Sequence, residues 1–155
     1  MRCKIGEEGN LLTIPMKIKD SRPKRKHVLV IGPPGSGKSF LSGELKWFGF
    51  NAVDADRMVG LSRWIDEEGN EATYHEGLGG QWLRTHRFMW DKAVLEDYLS
   101  KNKDLYLFGV SDNIYEMIDL FDRVFYLDLD FGELERRLMH ANRQNPMGRI
   151  TDERE

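Results

Sequence analysis

The sequence predicts an α/β fold: a mostly parallel sheet with helices on both faces, preceded by a small N-terminal β appendage. Three observations carry this. Short apolar runs recur at His27-Val28-Leu29-Val30-Ile31 and at Asp104 to Val110, as in strands buried on both sides, and a further strand-like run lies at Arg123 to Asp128. Segments with apolar residues at three- and four-residue steps lie between them, and strands alternating with helices favour parallel pairing through crossovers. Glycine and proline punctuate the first strand-to-helix junction, where a sharp change of direction is needed.

The elements follow in order. Glu7-Glu8-Gly9-Asn10 is a turn signal, and Leu11 to Ile14 reads as a strand of the appendage. Residues 1–26 form appendage and connector; 27–155 form the main domain. The basic run Arg22, Lys24, Arg25, Lys26 reads as a solvated lead-in to the first strand, His27 to Ile31. From Lys38 the pattern turns helical, with Phe40, Leu41, Leu45 and Trp47-Phe48 on one side and a stop near Gly49. Phe50 to Val53 is a second strand, ending at Asp54-Ala55-Asp56. Met58 to Ile65 is expected to be a short helix, and residues 66–80, polar and glycine-rich, a loop. Gln81 to Leu99 reads as the clearest helix, with Trp82, His86, Met89-Trp90, Ala93-Val94 and Tyr98 in step. Asp104 to Val110 is the third strand, Ile114 to Phe121 a short helix, Arg123 to Asp128 the fourth strand and Phe131 to Ala141 a final helix.

The chain has 155 residues, 40% hydrophobic and 32% charged, which suits a single globular domain. No apolar run approaches the roughly 18 residues of a membrane span. The N-terminus lacks the apolar core of a secretion signal. Cys3 is the only cysteine, which excludes an internal disulfide and a multi-cysteine zinc site and leads to the expectation of a reducing, cytoplasmic setting. The net charge of −3 exerts no global pull toward nucleic acid. An anion must therefore be bound by local design.

Such a design is present at Gly32-Pro33-Pro34-Gly35-Ser36-Gly37-Lys38-Ser39, followed by Phe40. It matches the phosphate-binding loop, glycine then four residues then Gly-Lys-Ser, between a strand and a helix. Gly32, Gly35 and Gly37 allow backbone conformations barred to other residues, so that successive amides can form an anion nest. The helix start adds its unpaired N–H groups and positive dipole end. Lys38 supplies a cation for the outer phosphates, and Ser39 a hydroxyl ligand for Mg²⁺. Asp54 and Asp56 sit at the carboxyl end of a strand, where open α/β sheets bind ligands; there they can hold Mg²⁺ or accept a hydroxyl proton, or cap a helix. Arg57 can pair with an acidic acceptor or face solvent.

On these residues the chain resembles the small P-loop kinases: nucleoside monophosphate kinases, shikimate kinase and gluconate kinase. The resemblance spans about residues 27–150 and includes the acidic segment after the second strand, Gly109 at the end of the third, and Val124 to Asp128 followed by Leu134, Arg137-Leu138 and Arg143. It implies a three-layer α/β/α P-loop NTPase fold and ATP-dependent phosphoryl transfer to a small acceptor. The cofactors implied are ATP and Mg²⁺. Lys38, Asp56 and Arg143 are the implied catalytic residues, with Arg137 on the nucleotide and Ser39 and Asp54 on the metal. Arginines on a lid answer a physical need, since a transferring phosphoryl group spreads negative charge over its oxygens. The aromatic and polar stretch from Trp64 to Arg87, with Tyr74, His75, Trp82, Arg84 and His86, corresponds to the acceptor insert; Asp54, Asp56, Arg57 and Arg84 are its candidate substrate contacts. Trp82, Met89 and Trp90 at helical spacing read as core.

Two departures from the family stand out. The third strand ends without an acidic residue, Asp112 being nearest, so metal support falls to Asp54, Asp56 or Asp112. The family's fifth strand and last helix have no counterpart after Arg149, which leaves the sheet edge to the strand near Leu11, to an abbreviated sheet or to a partner. Other readings are a nucleotide-dependent ATPase or switch acting on a protein partner, a polynucleotide end kinase if the basic run lines the cleft, and a binding protein without turnover. No Asn-Lys-x-Asp segment of a GTPase is present.

Overall fold

The computed structural model describes residues 26–139. The expected strand near Leu11, the connector before Lys26, and Arg143, Arg149 and the expected helix stop at Asn145 to Gly148 lie outside them.

Four strands build the main sheet: β1 (Lys26–Ile31), β2 (Ala52–Asp54), β6 (Asp104–Phe108) and β7 (Arg123–Tyr126). They lie in the order β2-β6-β1-β7 and every pairing is parallel, with Leu29 opposite both Leu107 and Val124. Side chains alternate across the sheet, so each buried strand feeds two cores. On one face Leu29, Leu105 and Leu107 pack with Leu95 and Leu99 of α3 (Lys92–Lys101). On the other, Val28, Val30 and Phe108 pack with Leu41 and Leu45 of α1 (Lys38–Trp47). This mixed α/β architecture is the class expected from the sequence. Among the described residues β7 is an edge, and its Val124, Phe125 and Tyr126 are exposed.

A second, antiparallel sheet has the order β4-β3-β5, from β3 (Ser62–Ile65), β4 (Glu71–Ala72) and β5 (Arg87–Trp90). It corrects two sequence expectations. Met58 to Ile65 is not a helix: a tight turn at Met58 to Leu61 leads into β3, whose Trp64 and Ile65 pair with Ala72 and Glu71 across the expected loop. Gln81 to Leu99 is not one helix either. It divides into α2 (Gly79–Thr85), β5 and α3. The pairing of β5 with β3, Trp64 opposite Phe88 and Ser62 opposite Trp90, outweighs the local helical period, as tertiary contacts do over propensity. Asp91 then restarts the chain as a helix, its Oδ1 accepting from the Ala93 and Val94 N–H groups at 3.0 and 3.2 Å, a side-chain N-cap. The Val94 N–H and Arg63 hold its carboxyl below the ordinary range. Ile114 to Phe121 forms two 3-10 turns rather than an α-helix.

The small sheet is fastened to the end of β6. The Asp112 N–H donates to the Phe88 carbonyl at 2.8 Å, and the Phe88 N–H donates to Asp112 Oδ2 at 2.6 Å. Asn113, buried, accepts from the Trp90 N–H and donates to the Trp90 carbonyl, both at 2.9 Å. Between these residues and the strand, Gly109 allows contact closer than any side chain permits. A Cβ there would lie 2.6 Å from the Ala55 Cβ and 2.7 Å from the Trp90 ring.

Candidate functional site

The glycine-rich loop leaves β1 at Ile31 and enters α1 at Lys38. Gly35 and Gly37 have φ of +85° and +96°, the left-handed region where a Cβ is penalised. Gly37 is thereby the N-cap of α1. The loop is braced from above by α4 (Phe131–Leu138): a Cβ on Gly35 would meet Leu138 at 3.0 Å and Leu134 at 3.3 Å. Lys38 Nζ donates to the loop carbonyls of Gly32 and Pro33 at 2.6 and 3.0 Å. Ser36 is buried, and its hydroxyl has no partner among the described residues. A buried hydroxyl of that kind is costly unless a ligand or water answers it.

Two cavities of about 520 Å³ each open on either side of Lys38. Pro34, Lys38 and Asp56 line both. The first is otherwise walled by Trp64, Tyr74, His86 and Phe88, with Leu83 and Val110 adding apolar surface. Ser62, Ser111 and Asp112 supply its other polar groups. The second is bounded by Gly35, Gly37, Ser39 and Phe40 of the loop and α1, and by Asp54, Arg57 and Arg137.

Asp54 is the N-cap of the 3-10 turn Ala55–Arg57, accepting from the Asp56 N–H at 3.1 Å, so the capping role is realised. Burial pushes the Asp56 carboxyl above the ordinary aspartate range; the neighbouring Asp54 charge adds to this and Lys38 opposes it. Arg137 reaches the loop from α4: its Nη1 would lie 3.7 Å from a Cβ on Gly37. Its Nε donates to Glu133 Oε1 at 2.6 Å. Arg136 also binds Glu133, at 2.8 Å through both Nε and Nη2, and the two guanidiniums lower the Glu133 carboxyl to about 2.

The structure thus brings together Lys38, Asp56, Asp54, Ser39, Phe40, Arg57 and Arg137 around one cavity. Gly32, Pro33 and Ser36 complete the loop without lining it. Arg84 is exposed in the last turn of α2 and lines neither cavity. The aromatic wall is partly what the stretch from Trp64 to Arg87 suggested. Trp64 lies at its centre, 6.0 Å from Tyr74, 4.9 Å from Trp82 and 5.1 Å from Phe88 between ring centroids. Trp82 stands behind it, stacked on His86 at 3.9 Å. Phe88 and Ser111 were not singled out from the sequence. The short apolar run Phe88-Met89-Trp90, bounded by Arg87 and the capping residue Asp91, is the signal that could find Phe88.

Among the described residues no group of three or more His, Cys, Asp or Glu could hold a metal ion, and no helix is long and apolar enough to cross a membrane. Comparison with models of known protein families gives no match, and comparison with the curated proteins gives none either.

Proposed function

We propose that this protein is an ATP-dependent kinase of the P-loop type, with a three-layer α/β/α fold, that transfers the terminal phosphoryl group to a hydroxyl of a small molecule. The observation that carries the reading is the shared wall: two cavities of ligand size meet at Lys38 and Asp56, one beside the glycine-rich loop and one lined by aromatic rings. A donor and an acceptor held there face each other across one cation and one carboxylate. The helices α1 and α3, on opposite sheet faces, support the three-layer assignment.

The polyphosphate lies along Gly32 to Ser39, held by loop amides and the start of α1. Lys38 leaves the Gly32 and Pro33 carbonyls and turns to the outer phosphates; Arg137 follows from α4. The residues present suit Mg²⁺: the Ser39 hydroxyl and the Asp54 carboxylate line the same cavity, and this ion binds through one or two protein oxygens plus phosphate and water. When bound, it neutralises charge on the phosphates. Asp56 takes the proton from the acceptor hydroxyl, a role its raised basicity favours. The acceptor oxygen attacks the terminal phosphorus, the bond to the bridging oxygen breaks, and ADP leaves. A concave, aromatic-lined cavity of about 520 Å³ beside Lys38 favours a small acceptor over a protein partner.

Calorimetry with Mg²⁺ and ATP tests the donor site. Lys38→Ala should weaken ATP binding by roughly ten- to a hundredfold, the worth of charge-assisted hydrogen bonds. Unchanged affinity would remove the assignment. Transfer of labelled phosphate to a metabolite panel tests the reaction.

A further inference from the structure

From the lining of the first cavity we infer the chemical class of the acceptor: a hydroxylated compound with a flat ring, nucleoside-sized, bearing no phosphate or carboxylate. The inference deepens the kinase reading and rests on it. Shape comes first. The volume, about 520 Å³, falls within the range of roughly 300–1,000 Å³ that encloses an organic ligand of drug size. Trp64, Tyr74 and Phe88 present rings to it, and Trp82 backs Trp64 and Tyr74 at 4.9 and 5.5 Å. A wall of interlocked rings is rigid, and a flat ring gains most by lying against it.

Charge comes second. Among the described residues Lys38 is the one lysine or arginine lining this cavity, against two carboxylates, Asp56 and Asp112. Lys38 also belongs to the donor side. A phosphate or carboxylate on the acceptor would lie beside two aspartates with, among the described residues, no lysine or arginine of its own, and like charges repel. The arginines nearby in sequence point elsewhere. Arg87 alternates with Phe88 along β5 and is exposed, Arg84 is exposed on α2, and Arg57 lines the second cavity. Asp112 binds the Phe88 N–H through Oδ2; its other oxygen can accept from an amine or hydroxyl on the ring. At the inner end Asp56 meets the hydroxyl that is phosphorylated.

The test is a titration at pH 8, above the ordinary imidazole range, following tryptophan fluorescence. The probes are adenosine, cytidine and thymidine, their 5′-monophosphates, gluconate and choline, with ATP affinity measured separately by calorimetry. At least one nucleoside should bind ten times more tightly than its monophosphate and than gluconate, and Trp64→Leu should weaken it at least tenfold without changing ATP affinity. Val110→Arg, at a partly exposed lining position, should raise monophosphate affinity about tenfold. Nucleoside binding without ATP binding would leave this cavity assignment standing and remove the kinase reading instead. ATP binding with a monophosphate, gluconate or choline preferred over every nucleoside would overturn the inference, as would ATP binding with no response to any nucleoside.

Discussion

Replacing Gly109 by alanine should destabilise the protein and act unequally on its two proposed binding sites. The new methyl would sit 2.6 Å from the Ala55 Cβ and 2.7 Å from the Trp90 ring. Carbon atoms settle at about 3.5–4.0 Å, so the neighbours must part by roughly 1 Å. Neither can yield alone: Ala55 is 0% and Trp90 2% exposed, and Asn113 holds the Trp90 backbone on both its polar groups. Overpacking of this kind costs about 1–3 kcal/mol, and the rigid surroundings place it near the upper end. Loss of glycine flexibility in the unfolded chain returns about 0.4–1 kcal/mol, leaving about 2 kcal/mol net. Urea denaturation should show that loss, and the melting temperature should fall by about 4–8 °C. Gly43→Ala is the control. It lies inside α1 with nothing among the described residues within 4 Å of its would-be Cβ, and should stabilise by about 0.5–1 kcal/mol. Because Trp90 ends β5, which walls the acceptor cavity, while Ala55 lies between Asp54 and Asp56 of the donor cavity, Gly109→Ala should raise acceptor KM more than it weakens ATP binding. A variant as stable as the parent would refute the packing argument; equal losses at both sites would refute the unequal effect.

Three further outcomes are expected. The Asp56 carboxyl is raised, so kcat/KM should fall as pH drops through a range above the ordinary aspartate value; Asp54→Asn removes a raising charge and should move that limb to lower pH, which a pH–rate profile will show. Asp56→Asn should cut turnover by about 10²–10⁴ and, since the ionised group is disfavoured in the fold, should raise the melting temperature at pH 7 rather than lower it. Asn113→Ala leaves the Trp90 N–H and carbonyl without their Asn113 partner, and at about 1–3 kcal/mol per buried group the loss in denaturation should reach about 2–6 kcal/mol.

What the sequence made legible depends on how local the cause is. β1 and β6 are written in short apolar runs that suit an extended, buried setting, β7 in a similar run that is exposed in the fold, and the glycine-rich loop requires glycine where its backbone turns left-handed, at Gly35 and Gly37. β5 was hidden because Trp82, His86, Met89 and Trp90 fit a helical period, while the reason for a strand lies in β3, more than twenty positions earlier. The ties from Asp112 and Asn113 were hidden for the same reason: their partners are 24 and 23 residues away. Gly109 reads in the sequence as a strand end, but the ring that forbids a larger residue there belongs to Trp90, nineteen positions earlier. At the site, Lys38, Asp54 and Asp56 converge where strand ends bring them, whereas Arg84, chosen for its charge, belongs to a helix face turned outward.

The partition formed by Pro34, Lys38 and Asp56 has a pharmacological corollary. A single compound joining a polyphosphate to an aromatic head would occupy both chambers at once, the tether raising the second group's effective concentration to the millimolar range. On the proposed reading such a bisubstrate ligand, with its linker cut to pass Lys38, would bind more tightly than either half alone.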